Sequence, residues 1–383
     1  MSAALELASW RALQAAESEP LVAALAAAPV TPALLARLRR RFPAELVLAA
    51  AALARARDKL AGRIDDAGRL VADPEGAEQA SSTRAARHKA ARFARAGIAR
   101  VVDLCAGIGG DAIELARVTR VLAVDVQPAR AWMAARNAGC RAIAADVRAL
   151  ALDPAVAFHL DPQRRDAATG RRAWRFEDYE PGPAYVRELV ARCPTGAIKL
   201  GPGVALDALP AGEIELLSER GHLTQAVLWT GDLAHGGSRR ATLLDVGLSI
   251  HGASEAAPIG PAGSHLLAPD PAVERAGLLG VLARELDASA IHAELGLLTR
   301  DSPVASPWVK CFEVQAALAW RVERIARWLA DHDGGPVELR PRGVELDFAR
   351  TTRALSGTGS TRHVVFVQRL GREVRAWITR EVG

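Results

Sequence analysis

The chain of 383 residues has few cysteines, almost no lysine and few aromatic residues. Its four cysteines, Cys105, Cys140, Cys193 and Cys311, are scattered, with no C-x-x-C pair among them. That excludes a disulfide framework and a zinc signature, suits a reducing compartment and gives no reason to expect a metal. No stretch is both long and apolar enough to cross a bilayer; the Ala-rich runs at 22–29 and 46–54 are short or interrupted. The first residues lack the basic, apolar, small-residue order of a secretory signal, so a cytoplasmic protein without a membrane partner is expected. Aromatics are 4% of the chain and the filler is Ala, Leu and Val. Only Lys59, Lys89, Lys199 and Lys310 are lysines, which leaves 45 of the 49 basic residues as arginine. Arginine suits phosphate recognition, yet an Ala-rich, Lys-poor chain also has the look of GC-rich coding. The net charge of +5 permits a nucleic-acid partner without demanding one.

What the chain does have is the stretch from Val101 to Asp111, V-V-D-L-C-A-G-I-G-G-D. A β-branched pair leads into an acid, a glycine turn and then a run with helical apolar spacing: the start of a βαβ unit. Gly107 and Gly109 let the backbone turn sharply and approach a ligand with no Cβ in the way. The spacing is not the G-x-G-x-x-G dinucleotide fingerprint, because Ile113 stands where a third small residue belongs. Asp103 at the strand end would repel a pyrophosphate but could pair with an ammonium. That favours a ligand with an amino-acid head, S-adenosylmethionine, and D-L-C-A-G-I-G-G-D resembles motif I of class I methyltransferases.

Two further apolar runs end in acids: 121–125 at Asp125 and 142–146 at Asp146. An acid about 20 residues after the turn, at the tip of the second strand, is placed to hydrogen-bond ribose hydroxyls. The position of Asp146 is the one that meets the adenine amine in methyltransferases. Each Asp by itself is also an ordinary helix cap. The candidate cofactor residues are Asp103, Ala106, Gly107, Gly109, Asp125, Val126, Asp146 and Val147.

After a fourth apolar run comes D-P-Q-R-R, in the position of motif IV beside the transferable methyl. Asp161, Pro162 and Arg164 are the catalytic candidates. Amine-methylating enzymes commonly carry D/N-P-P and an aromatic there; Gln163 and Arg164 depart from that pattern. The segment 164–183 is arginine-rich and holds Trp174, Phe176 and Tyr179, a mixture that binds phosphates and stacks bases, or else a surface loop with its aromatics tucked onto the core. The helix expected at 84–95 carries six basic residues, and is either a capped helix with a solvated basic face or one that closes over the cofactor through Ser82 or Thr83. Lys199, near the end of the fifth strand, could face the substrate pocket. The sixth strand is expected at 213–218 and the antiparallel seventh at either 226–230 or 241–246.

The fold class expected is α/β: a Rossmann-like class I methyltransferase sheet of seven strands with the last antiparallel. The expected organisation is an N-terminal helical region (1–78), a methyltransferase domain (79–252), a linker (253–271) and a small C-terminal α+β domain (272–383). In the last, helices are expected at 274–286 and 314–330, and strands at 337–340, 344–347 and 363–368. Arg340, Arg342, Arg350, Arg353, Arg362 and Arg369 give it a basic cast.

The matching stretches together (Glu78-Gln79-Ala80, 103–111, Asp161-Pro162 with Arg164-Arg165, Ile198-Lys199-Leu200 with Pro202-Gly203, Ser218-Glu219-Arg220-Gly221 and Arg340-Pro341-Arg342-Gly343) resemble bacterial class I methyltransferases with a C-terminal THUMP-like domain. The resemblance covers most of the chain from about residue 40 onward. Motif I also resembles that of trimethylguanosine synthases, with Asp111 where they tend to carry Asn. The resemblance implies S-adenosylmethionine as cofactor and, because THUMP domains accompany RNA modification, RNA as substrate class. The alternatives are a small-molecule or protein acceptor, or an RNA-binding protein that keeps the cofactor as a structural ligand.

Overall fold

The structure, a computed structural model, describes residues 7–164, 175–235 and 239–382. The chain divides into two compact units, 1–214 with 225–237, and 215–224 with 238–383.

The first unit opens with helices α1 (Leu7–Ala12), α2 (Glu19–Ala26), α3 (Pro32–Leu38) and α4 (Ala44–Leu60). Thr31 caps α3 by accepting the Leu34 N–H at 3.2 Å, with Pro32 preset for the first turn. These helices bury Trp10, Leu21, Val47, Leu53 and Leu60 in one core, which also takes in Ile108 of the glycine turn and Met133. They therefore brace the turn from behind. Two helices follow, α5 (Pro74–Gln79), capped by Asp73, and α6 (Thr83–Arg95), capped by Ser82.

The strands β1 (Arg100–Leu104), β2 (Arg120–Asp125), β3 (Arg141–Ala144), β4 (Ala157–Leu160), β5 (Gly196–Leu200), β6 (Glu213–Glu219) and β7 (His222–Thr230) alternate with helices α7 (Gly110–Leu115), α8 (Pro128–Ala138) and α9 (Pro183–Arg192). Their hydrogen-bonded order is β3-β2-β1-β4-β5-β7-β6. β1 to β5 run parallel and β7 lies antiparallel to β5. This is the α/β, Rossmann-like class I methyltransferase arrangement expected, with the antiparallel seventh strand at the earlier of the two candidate positions; two further strands extend the sheet to nine. The later candidate is β8 (Arg239–Leu243), which forms an antiparallel hairpin with β9 (Leu248–Gly252). A two-residue ladder pairs Gln163 and Arg164 with Glu180 and Tyr179.

The second unit contains a seven-stranded sheet of β10 (His265–Pro269), β11 (Ser289–Ala290), β12 (Leu298–Arg300), β13 (Val309–Ala319), β14 (Gly334–Arg342), β15 (Thr361–Leu370) and β16 (Glu373–Val382), in the order β11-β12-β10-β13-β16-β15-β14. β10 lies inside the stretch expected as a linker. Three local expectations are corrected. The helix expected from 314 begins only at Val322, because Val309–Ala319 pairs with a strand on each side; its alternating burial wins over the helix propensity of Ala and Leu. The helix expected at 274–286 is two, Pro271–Ala276 and Leu279–Glu285, broken where Gly277 takes a left-handed φ of 73°. Residues 344–347 form no strand; Val344 and Leu346 pack on the core, and Asp347 caps the helix Phe348–Leu355.

Candidate active site

In a parallel sheet, chemistry gathers beyond the carboxyl ends of the strands, where the order reverses. Here β1 and β4 lie side by side at that point. Beyond β1 the chain enters a tight turn: Cys105 takes a φ of 59°, Gly107 57° and Gly109 85°. Ala106 N–H donates to the Val124 carbonyl at 2.9 Å, tying the turn to β2. A Cβ on Gly109 would lie 2.8 Å from Ala134 Cα, so the glycine is required for close packing against α8. A Cβ on Gly107 would meet nothing within 4 Å; that face of the turn is open.

Asp125 ends β2 and governs the turn. Its Oδ2 accepts the Gly107 N–H and its Oδ1 the Gln127 N–H, both at 2.9 Å. Burial pushes its carboxyl up, against the opposing pull of those two donors. Val126, the next residue, leaves 65% of its surface exposed, an uncovered apolar side chain beside a buried acid. Asp146 lies past the end of β3 and is committed locally. It caps a short turn by accepting the Arg148 N–H, and its carboxylate is 2.6 Å from the Arg148 guanidinium, which also reaches Glu180 at 2.8 Å. The hydrogen bonds from Arg148 hold the Asp146 carboxyl below the usual range. Val147 is buried.

Asp103 faces His159 across the β1–β4 register, and Oδ1 is 2.7 Å from the imidazole Nδ1. The other oxygen, Oδ2, is buried with no hydrogen-bond partner. Desolvation pushes this carboxyl up from its ordinary value, with His159 opposing and Asp111 and Asp161 adding to the rise. Behind His159 sits Lys89 of α6, fully buried, 3.4 Å from His159 Nε2 and 2.7 Å from Asp111 Oδ1. Ser81 donates to Asp111 Oδ2 at 2.8 Å and lies 3.3 Å from Lys89 Nζ. Burial lowers the Lys89 ammonium and raises the Asp111 carboxyl; for Asp111, the Lys89 ammonium and then the neighbouring His159 prevail and bring it well below the carboxylate range.

Asp161 follows β4. Its carboxylate is 2.7 Å from Lys199 Nζ, which also donates to the Gln79 carbonyl at 3.0 Å and so ties the end of α5 to the site. Pro162 is buried, and Gln163 reaches Glu75 of α5 at 3.0 Å. Arg130, buried in α8, holds α5 from its other end through Asp73 and Glu75. Burial raises the Asp73 carboxyl, yet its bonds from Arg130 bring it below the usual range.

The structure thus brings Asp103, Ala106, Gly107, Gly109 and Asp125 around one turn, with Asp161 at the end of the neighbouring strand. Arg164 is placed by its backbone ladder with Tyr179; Arg165 and Trp174 lie outside the described residues. Phe176 and Tyr179 are buried and so give no stacking face; Tyr179 accepts the Gly201 N–H through its hydroxyl. α6 does not present a uniformly solvated basic face. Lys89 points into the acid cluster, and Arg92 is buried against Trp229, its guanidinium paired with Glu213 and 4.4 Å from the ring centroid. Thr83 accepts the Asp65 N–H rather than facing a ligand. Sequence reading missed Ser81, Lys89 and His159 as site residues. The one available signal was a lone lysine on the apolar side of an Ala-rich helix, in a chain with four lysines.

Most of the basic cast of the second unit is internally matched. Arg340 stacks over Phe312 and Phe366 and pairs with Glu338, Arg362 shares Glu338, Arg342 pairs with Glu274, and Arg369 donates to the Gly343 carbonyl. Arg350 and Arg353 are exposed. Among the described residues no helix is long and apolar enough to cross a membrane.

No family model matches the sequence. Over 316 residues the chain is 33% identical to an uncharacterized S-adenosylmethionine-dependent methyltransferase of Mycobacterium tuberculosis, found in two strains; the match covers 78% of this chain and 84% of that protein. A crystal structure from Porphyromonas gingivalis W83, titled as a methyltransferase, superposes with a TM-score of 0.73 at 15% identity, over 95% of this chain and 99% of that one. The cofactor in the mycobacterial name fits the residues present. An orphaned buried carboxylate oxygen at Asp103 suits an ammonium, Gly107 leaves an open face, and Val126 offers an apolar surface beside an acid.

Proposed function

From the chain's membership of the S-adenosylmethionine-dependent methyltransferases, we propose that it methylates a nucleotide of RNA. When bound, S-adenosylmethionine would supply an electrophilic methyl group, its C–S bond breaking as the bond to the acceptor forms and S-adenosylhomocysteine leaving. Asp103 holds the methionyl amine through Oδ2. Ala106, Gly107 and Gly109 give close backbone approach, and Asp125 meets the ribose with the acceptor capacity left beyond its two N–H bonds. Val126 packs on the adenine, with Asp146 and Val147 at its edge. Asp161, held by Lys199, orients the acceptor and takes its proton; Pro162 and Arg164 shape the loop around it. Positioning supplies much of the rate, since the methyl must lie about 3 Å from the nucleophile.

One observation carries the RNA reading. In sequence, Arg164, Arg165, Arg171, Arg172 and Arg175 follow closely on Asp161-Pro162, a composition suited to binding phosphates. By its resemblance to THUMP-like domains, the C-terminal unit is read as an RNA-positioning element, with exposed Arg350 and Arg353 as its contacts. A small-molecule or protein acceptor is the second reading, favoured by the internal pairing of Arg340, Arg342 and Arg362.

The experiment is transfer of label from tritiated cofactor to total RNA, with protein and small-metabolite fractions alongside. Counts in RNA that vanish in Asp161→Asn support the proposal; counts confined to another fraction replace RNA with that acceptor. No counts anywhere, with cofactor still bound, leaves a cofactor-holding binding protein.

A further inference from the structure

Four buried side chains behind Asp103 have no part in the chemistry proposed above: Ser81, Lys89, Asp111 and His159. They come from the segment before α6, from α6, from the start of α7 and from β4, and their polar atoms form one connected cluster. The hydrogen-bonding capacity of the cluster fixes its protons. A lysine ammonium has three donors. Here the ammonium is ion-paired with Asp111 Oδ1 at 2.7 Å and has two hydrogen-bond partners in reach, Ser81 Oγ at 3.3 Å and His159 Nε2 at 3.4 Å. Ser81 spends its own proton on Asp111 Oδ2. With Nε2 accepting from Lys89, the imidazole proton is on Nδ1, where it donates to Asp103 Oδ1 at 2.7 Å.

This arrangement saturates one oxygen of Asp103 and leaves Oδ2, buried, with no partner. A buried carboxylate oxygen without a partner is costly unless a donor arrives. Burial raises the proton affinity of the Asp103 carboxyl, with His159 opposing.

We propose that Lys89, anchored by Asp111 and Ser81, locks His159 in the Nδ1–H tautomer, and that His159 thereby holds Asp103 with Oδ2 presented as a preoriented acceptor for the ammonium of the cofactor. His159 and Lys89 are positioning residues: they touch neither cofactor nor acceptor and act through Asp103. The proposal rests on the reading of Asp103 as the amine ligand, and its test separates the two.

The probes are S-adenosylhomocysteine, which carries the amino-acid head, and 5′-methylthioadenosine, which lacks it. Both are titrated calorimetrically into the full-length chain and its variants. In wild type the head-bearing ligand binds more tightly. Asp103→Asn removes that preference if the reading of Asp103 is right; a preference that persists in Asp103→Asn overturns the reading and this inference with it. His159→Phe removes the donor and is expected to weaken S-adenosylhomocysteine by at least about tenfold, with methylthioadenosine unchanged. Lys89→Met behaves in the same direction. His159→Asn, whose amide reaches the position of Nδ1, restores most of the preference, which a purely structural role would not predict. Equal loss of both ligands in His159→Phe, or no loss while Asp103→Asn loses the preference, overturns the inference. If His159→Phe binds neither ligand because it does not fold, nitrogen-15 NMR of the wild-type histidines decides. A protonated Nδ1 on His159 whose resonance shifts with S-adenosylhomocysteine but not with methylthioadenosine supports the proposal. A protonated Nε2, or no differential response, overturns it.

Discussion

Asp161 and Lys199 leave the ends of two adjacent parallel strands and meet with carboxylate oxygen and ammonium nitrogen 2.7 Å apart. Lys199 also donates to the carbonyl of Gln79, so one side chain contacts both the candidate acceptor-orienting acid and the end of α5. The proposed function separates the roles in the site: it gives Asp161 to the acceptor side, and Asp103 and Asp125 to the cofactor side.

Asp161→Asn is therefore expected to lower kcat by about 10²-fold or more, the scale of a lost proton acceptor, with S-adenosylhomocysteine affinity within about twofold of wild type. Lys199→Met is expected to lower kcat by a smaller factor, also without loss of cofactor. Steady-state kinetics beside calorimetry checks both, and a parallel fall in cofactor affinity would remove Asp161 from the acceptor side.

Asp125→Ala leaves the N–H groups of Gly107 and Gln127 without their acceptor. Gly107 is half-buried and Gln127 exposed, so water takes up part of the lost bonding, but the turn that carries Gly107 loosens. Cofactor affinity is expected to disappear while the sheet stays folded. Hydrogen exchange tests this at the Gly107 and Gln127 amides; unchanged protection there would mean that another group holds the turn.

The two glycines of the turn are predicted to differ. Gly109→Ala drives a Cβ to 2.8 Å from the backbone of Ala134 at a φ of 85° and is expected to lower Tm markedly. Gly107→Ala has open space, so it bears only the cost of a left-handed residue, about 1 kcal/mol, and acts instead on cofactor affinity. A comparison of Tm and binding for the pair decides; equal destabilisation would contradict the packing argument.

Cofactor binding should weaken as pH falls. Asp103 is faced by His159, Asp111 and Asp161, and burial raises its carboxyl, so it takes up a proton at a higher pH than an ordinary aspartate. A protonated Asp103 cannot pair with an ammonium. Affinity for S-adenosylhomocysteine is thus full above the raised value and lost on descending through it, whereas methylthioadenosine, without the ammonium, lacks this dependence. Titrations of both ligands across the acidic range measure it, and matching profiles would sink the assignment.

Arg92→Leu takes from the buried Glu213 carboxylate its ion pair with the guanidinium and removes the cation from the face of Trp229. Loss of one partner of a buried pair costs about 3–5 kcal/mol, so thermal unfolding should shift strongly downward. An Arg92 that served a solvated RNA-binding face would leave Tm unchanged and alter RNA affinity instead.

Much was written locally in the chain. The glycine turn, the acids at the ends of β1 and β2 and the Asp161-Pro162 loop are each consecutive residues whose backbone demands or strand-end position can be read without knowing what lies across the sheet. Thr31, Pro32 and Asp125 behave as their immediate neighbours dictate. What the order of residues did not reveal was which polar side chains would be buried together. Lys89 and His159 stand seventy positions apart, one on a basic helix and one in an apolar strand, and each alone looks ordinary. Only the parallel register that sets Asp103 opposite His159, with α6 laid behind them, gathers Lys89, Asp111 and Ser81 around that imidazole. The same holds for Val309–Ala319, a strand because two others flank it, and for the arginines of the second unit, matched by acids that tertiary contact supplies. Local sequence set the turns and strand ends because backbone geometry is a short-range property; burial and charge pairing are long-range, so the fold alone decided them.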